Sequence, residues 1–139
     1  MKMQIRIWMA AGFAMLSLCL SGCFHFIQKG IHIPIEEASA ITATIYNRPD
    51  KGADIPAFKL PPSFHSRLIN RLKKSTPHRS EIDWAVLGEL RITLNAEIVS
   101  LQLFSAGNKV VFHIDGGAYE MNGLKKLILL IEEAMRAEN

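Results

Sequence analysis

The sequence predicts an α+β domain: an antiparallel sheet of about four strands covered on one face by two helices, in the order strand, helix, three strands, helix, a two-layer sandwich. Three observations predict it. Apolar and polar residues alternate over residues 40–46, 88–94, 99–103 and 110–114, the period of a half-buried strand. Residues 63–74 and 123–136 repeat their apolar residues at helical spacing instead. The turns between the last three strands are short, which forces antiparallel neighbours.

The first strand, AITATIY, sets Ile41, Ala43 and Ile45 on one side and Thr42, Thr44 and Tyr46 on the other. Residues 47–56 are turn chemistry, with Pro49 at the second position of a type I turn. Pro61, Pro62 and Ser63 open a helix, because proline is tolerated in a first turn and serine can cap one. Its apolar stripe is Phe64, Leu68, Ile69 and Leu72, with His65 at the edge, and Ser75-Thr76-Pro77 ends it. Trp84 is expected to close the core as a lid. Leu90, Ile92 and Leu94, then Val99, Leu101 and Leu103, then Val110, Phe112 and Ile114 point inward on three strands, with turns at 95–97 and 105–108. Gly116-Gly117 ends this meander, and Asn122 is expected to cap the last helix. The stripe of that helix is Leu124, Leu127, Ile128, Ile131, Ala134 and Met135. Leu129 falls on its polar side and is a candidate partner contact.

Residues 7–20, IWMAAGFAMLSLCL, carry no charge and follow Lys2 and Arg6. A positive start, a short apolar run and small residues at its end are the pattern of a secretory signal peptide. A bilayer crossing takes about 20 apolar residues, so the run is short for a span. It closes in Leu20-Ser21-Gly22-Cys23. This stretch resembles the lipobox of bacterial lipoprotein precursors, and the resemblance covers residues 1–23. It implies that the Cys23 thiol takes a diacylglyceryl group, that the chain is cut before Cys23, and that the new amino group is acylated. Two or more acyl chains anchor stably where one binds only marginally. In enterobacteria-like lipoproteins an Asp after the cysteine resembles an inner-membrane retention signal. Residue 24 is Phe, which implies the outer membrane, facing the periplasm, where the organism has one. The expected organisation is a signal peptide over 1–22, a lipid-anchored segment over 23–38 and one globular domain over 39–139. In the middle segment, either Phe24, Phe26 and Ile27 dip into the bilayer surface or Ile31, Ile33 and Ile35 form an edge strand around Pro34.

Charge and cysteine content exclude some functions. The chain has 16 basic and 13 acidic residues; Lys2 and Arg6 leave with the signal, which makes 14 against 13. A near-neutral domain argues against a nucleic-acid partner, which asks for strong basicity. Cys19 leaves with the signal and Cys23 carries lipid, so the domain has no disulfide and relies on its core. About 100 residues suffice for one such core.

No nucleophile elbow, Gly-rich phosphate loop or H-E-x-x-H stands in the sequence. No cofactor is expected. His113 and Asp115 share a face at strand spacing, but two ligands fall short of the three or four a zinc site needs, so no metal is expected either. Two surfaces remain as candidates. Tyr46, Arg91, Gln102, His113 and Asp115 face away from the core and form a candidate ligand face. Arg67, Arg71 and Lys74 form a basic patch on the first helix, suited to an anionic surface. The leading expectation is a non-catalytic binding or assembly module, held at the membrane through lipidated Cys23 and meeting an envelope protein partner. The alternative is a small hydrolase-like periplasmic enzyme around His113, Asp115 and Arg91. A third is a structural element acting through the Leu129 region.

Overall fold

The computed structural model describes residues 31, 33, 37–79 and 83–139. Cys23 and the whole of residues 1–30, where the expected signal peptide and lipobox-like stretch fall, lie outside the described residues, as do Pro34 and Ile35. Residues 31–139 form one compact unit.

Seven strands build one antiparallel sheet: β1 (Ala40–Ile45), β2 (Ile55–Lys59), β3 (Thr76–Pro77), β4 (Ala85–Thr93), β5 (Ile98–Ala106), β6 (Lys109–Ile114) and β7 (Gly117–Asn122). Their spatial order is β2-β1-β4-β5-β6-β7-β3. Among the described residues two helices accompany them, α1 (His65–Lys73), entered through a 3-10 turn at Pro62–Phe64, and α2 (Leu124–Glu138). The expected sheet of about four strands is therefore wrong. It lacked β2, β3 and β7. β2 was hidden because Pro56 sits inside it, which the sheet tolerates only at an edge, and β2 is an edge. β7 was hidden because Gly116-Gly117 resembles a stop. Asp115 (φ 49°) and Gly116 (φ 76°) are instead the two left-handed residues of a tight hairpin, and Gly117 already pairs with Ile114. β3 is two residues long, too short to show any alternation.

The alternating residues of β1, β4, β5 and β6 and the stripes of both helices meet in one core. Ile41, Leu90, Leu101, Phe112, Leu72, Leu127 and Ile131 are all fully buried in it. Ile33 joins this core and Ile31 packs on its edge, so the chain before β1 is part of the unit. At the sheet centre Gly88 allows β1 to approach, since a Cβ there would overlap the Thr44 carbonyl oxygen. Arg48 pins the β1–β2 loop to α2. Its guanidinium donates to Asp50, the Ala53 carbonyl and Glu132, the last at 2.7 Å. The Arg48–Asp50 hydrogen bonds hold the Asp50 carboxyl down at about 2.

The connections decide what covers each face. α1 carries the chain from β2 at one edge to β3 at the opposite edge. The chain then returns from β3 to β4 near the centre. Trp84, at the end of that return, stacks on His113 of β6 at 5.4 Å and meets Phe104 of β5 edge-on at 5.2 Å. Trp84 is thus no lid on the helix-side core. It lies on the other face and is 39% exposed. Val111 pairs with Phe104, is fully buried and stands outside the helix-side core, so this second face has a small apolar cover of its own.

Candidate functional site

α1 and α2 run together over the sheet, and a groove lies along their junction. Arg67, Arg71, Lys126, Leu129, Leu130 and Glu133 line a cavity of about 450 Å3. Arg71 and Lys126 also line the next one, of about 420 Å3, with Lys74, Asn108, Asn122 and Gly123. The sequence puts cations here because α1 buries Leu68, Ile69 and Leu72 and leaves Arg67, Arg71 and Lys74 on the flank toward α2.

The three cations of that patch have different fates. Arg67 donates to both carboxylate oxygens of Glu133, at 3.2 and 3.1 Å, and its guanidinium carbon lies 5.1 Å from the centre of the Phe64 ring. The contact holds Glu133 below the usual carboxylate range. Arg71 lies half-buried. Its Nη2 donates to the Gly123 carbonyl at 3.2 Å, while its Nε is buried without a hydrogen-bond partner among the described residues. A buried donor left unmet costs roughly 1–3 kcal/mol. Lys74 ends α1, exposed, with no carboxylate within salt-bridge distance among the described residues.

The start of α2 completes the groove. Asn122, expected as its cap, is the last residue of β7; the capping position is Gly123, in the left-handed conformation (φ 82°) and without a side-chain cap. The Asn108 carbonyl accepts the N–H groups of Gly123 and Leu124 instead, at 2.9 and 3.0 Å. A Cβ on Gly123 would stand 3.0 Å from the Arg71 guanidinium, so glycine serves both the backbone turn and the close approach. The first turn of α2 has no acidic residue and carries Lys125 and Lys126. Lysines are electrostatically misplaced at the positive end of a helix dipole. Leu129, 49% exposed, faces the same groove.

The candidate ligand face is not brought together in one cavity. Arg91 is exposed, donates to Glu89 at 3.0 Å and lines a shallow cavity with Thr42 and Thr44. Asp115 lies in the β6–β7 turn and lines another cavity with Glu37, Glu97 and Ile33. Gln102 is exposed on β5, and Tyr46 follows β1, half-buried, its N–H donating to the Leu87 carbonyl. His113 stacks on Trp84.

Sequence reasoning missed a polar cluster beside Trp84. His78 Nδ1 and Glu120 Oε2 are 2.8 Å apart, and Lys109 Nζ is 3.0 Å from Glu120 Oε1. The His78 side chain is 6% exposed. Both contacts, His78 first, hold the Glu120 carboxyl below its usual range. No sequence signal connects these residues, which meet only through the β6–β7 pairing and the edge position of β3.

Among the described residues, no group of three or more His, Cys, Asp or Glu is placed to hold a metal, and no helix is long and apolar enough to cross a membrane. No family model matches the chain, and comparison with curated proteins and with solved structures found no match.

Proposed function

We propose that this chain is the precursor of a lipid-anchored cell-envelope protein. Cys23 holds it to the membrane, the outer membrane facing the periplasm where the organism has one, and its globular domain is a non-catalytic binding or assembly module for an envelope partner. The observation that carries the reading is Leu20-Ser21-Gly22-Cys23 at the end of a short apolar run flanked by Lys2 and Arg6. The groove between α1 and α2 is its working surface, because two cavities that share Arg71 and Lys126 lie there, one of them lined by the exposed Leu129. The hydrolase alternative draws less support, since His113, Asp115 and Arg91 face three different surroundings.

Mass spectrometry of the N-terminal peptide from the host membrane tests the reading. A diacylglyceryl-modified Cys23 at the mature N-terminus is the expected result, and Cys23→Ser is expected to block processing or release the domain. An unmodified N-terminus at another residue would sink the proposal.

A further inference from the structure

We infer that the cleft formed by Arg71, Lys74 and Lys126 binds a phosphate-bearing anion, either the headgroup of an anionic phospholipid or a free phosphate ester. The lipid source rests on the membrane reading above; the anion site itself does not.

Three cations from two helices line one cavity of about 420 Å3. Like charges gathered without a counterion repel one another, and a bound anion removes that repulsion. Five other cations of the domain have a carboxylate partner: Arg48 has Asp50 and Glu132, Arg67 has Glu133, Arg91 has Glu89, Lys109 has Glu120 and Arg136 has Glu132. Lys51, Lys59, Lys73, Arg79 and Lys125 have none among the described residues, but none of them lines this cavity as Arg71, Lys74 and Lys126 do. Among the described residues no carboxylate pairs with Arg71, Lys74 or Lys126. One acid, Glu120, reaches the cavity wall, but its two oxygens are taken by His78 and Lys109. The local balance is therefore positive.

Donor chemistry points the same way. Arg71 is held over Gly123 by its Nη2 and keeps a buried Nε–H without a partner among the described residues. Thr76, Asn108 and Asn122 stand on the same wall and add neutral donors. A guanidinium, two ammonium groups and amides suit a group with several acceptor oxygens and one to two negative charges, which describes phosphate. The volume falls in the range of small-ligand pockets.

The test uses the full chain in nanodiscs of zwitterionic phosphatidylcholine, whose phosphate is balanced by choline so that the surface has no net charge, read through the amide resonances of Lys74 and Lys126. In one arm inorganic phosphate is titrated in. In the other, part of the phosphatidylcholine is replaced by phosphatidylglycerol. Saturable shifts in either arm support the site: a response to phosphatidylglycerol alone assigns the headgroup, and a response to phosphate alone assigns a soluble ester. The double variant Lys74→Glu, Lys126→Glu is expected to weaken binding about tenfold or more, the scale of losing one charge-assisted contact. Both side chains are exposed, so the fold tolerates the change. Lys51→Glu with Lys59→Glu makes the same charge change on exposed residues of the β1–β2 hairpin, at the opposite sheet edge, and is expected to leave binding within about twofold, since screening confines exposed charges to about 10 Å at 0.1 M salt. No saturable response in either arm overturns the proposal. Equal losses in the two double variants overturn it as well, because they would mean diffuse attraction. Mass spectrometry of Cys23 on the same sample keeps a failure of the lipid anchor distinct from a failure of the anion site.

Discussion

On its helix side the sheet presents apolar residues from four alternating strands, and two amphipathic helices cover most of them, Val99 and Ile114 remaining half-buried. On its other side most outward residues of β4 and β5 are exposed or half-exposed, and the largest apolar groups are Trp84, Phe104 and the buried Val111, with His78 and His113 against the Trp84 ring. The first face is made by local periodicity, repeated element after element. The second is made by one return of the chain from an edge strand to a central one. Stability and legibility should therefore be concentrated on the helix side, while the aromatic side contributes less and depends more on side-chain polarity.

Paired truncations give the largest contrast. Phe112 is fully buried on the helix side of β6, and Phe112→Ala is expected to cost about 3–5 kcal/mol. Trp84→Ala removes a ring that keeps 39% of its surface in solvent. Its stacking and edge contacts are each worth roughly 0.5–1.5 kcal/mol, so a loss of about 1–3 kcal/mol is expected, below that of Phe112. Urea midpoints of the two variants measure the difference. Equal losses would make the outer face a second core and break the contrast.

An effect of intermediate size belongs to the aromatic side alone. Glu120 is held ionised, first by the His78 contact and then by Lys109. Its folded-state value lies below the ordinary 4.5, so the stability it contributes is fully present above that value and is lost as pH falls through the lower one. Glu120→Gln is expected to flatten the acid limb of stability against pH and to leave the plateau above pH 4.5 lower than in the parent chain. An acid limb unchanged by the substitution would show that the cluster is not coupled to folding. Asp50 and Glu133, also depressed, remain in both proteins and cancel in the comparison.

The same division explains what could be read from the sequence. Ile41, Ala43 and Ile45, or Leu101 and Leu103, announce themselves because period two leaves no other way to bury them. Phe64, Leu68, Ile69 and Leu72 do so at helical spacing, and the buried His65 at the edge of that stripe finds the Leu60 carbonyl at 3.2 Å. Pro56 and Gly116-Gly117 misled because their local meaning, break or stop, was overridden by position: an edge for Pro56, a two-residue turn for Asp115-Gly116. Trp84, His78 and Glu120 were opaque because pairing across distant strands brings them together. The groove was half legible. The helical wheel placed Arg67, Arg71 and Lys74 on one flank, but their separate fates depend on Glu133, Gly123 and Lys126, which arrive with α2.

The smallest expected effect lies on the rim of that groove and sharpens where the helix side stops being core. Arg67 does two things: it forms a forked pair with Glu133, and it lies over the ring of the mostly buried Phe64. The two are separable. Both members of the ion pair are more than half exposed, at 51% and 58%, so salt screens their attraction and side-chain ordering offsets most of what remains. The cover over Phe64 uses the stem and the flat face of the guanidinium, which salt affects little. Glu133→Gln is therefore expected to shift the unfolding midpoint barely at low salt and not at all at high salt. Arg67→Ala is expected to shift it slightly more, and the excess should persist as salt rises, because Phe64 loses its cover in both conditions. Arg67→Met, which keeps an apolar stem over the ring, should recover that excess while leaving the pair broken. If all three variants instead converge on the parent value at high salt, Arg67 is a solvated charge and the buried surface of α1 ends at Phe64.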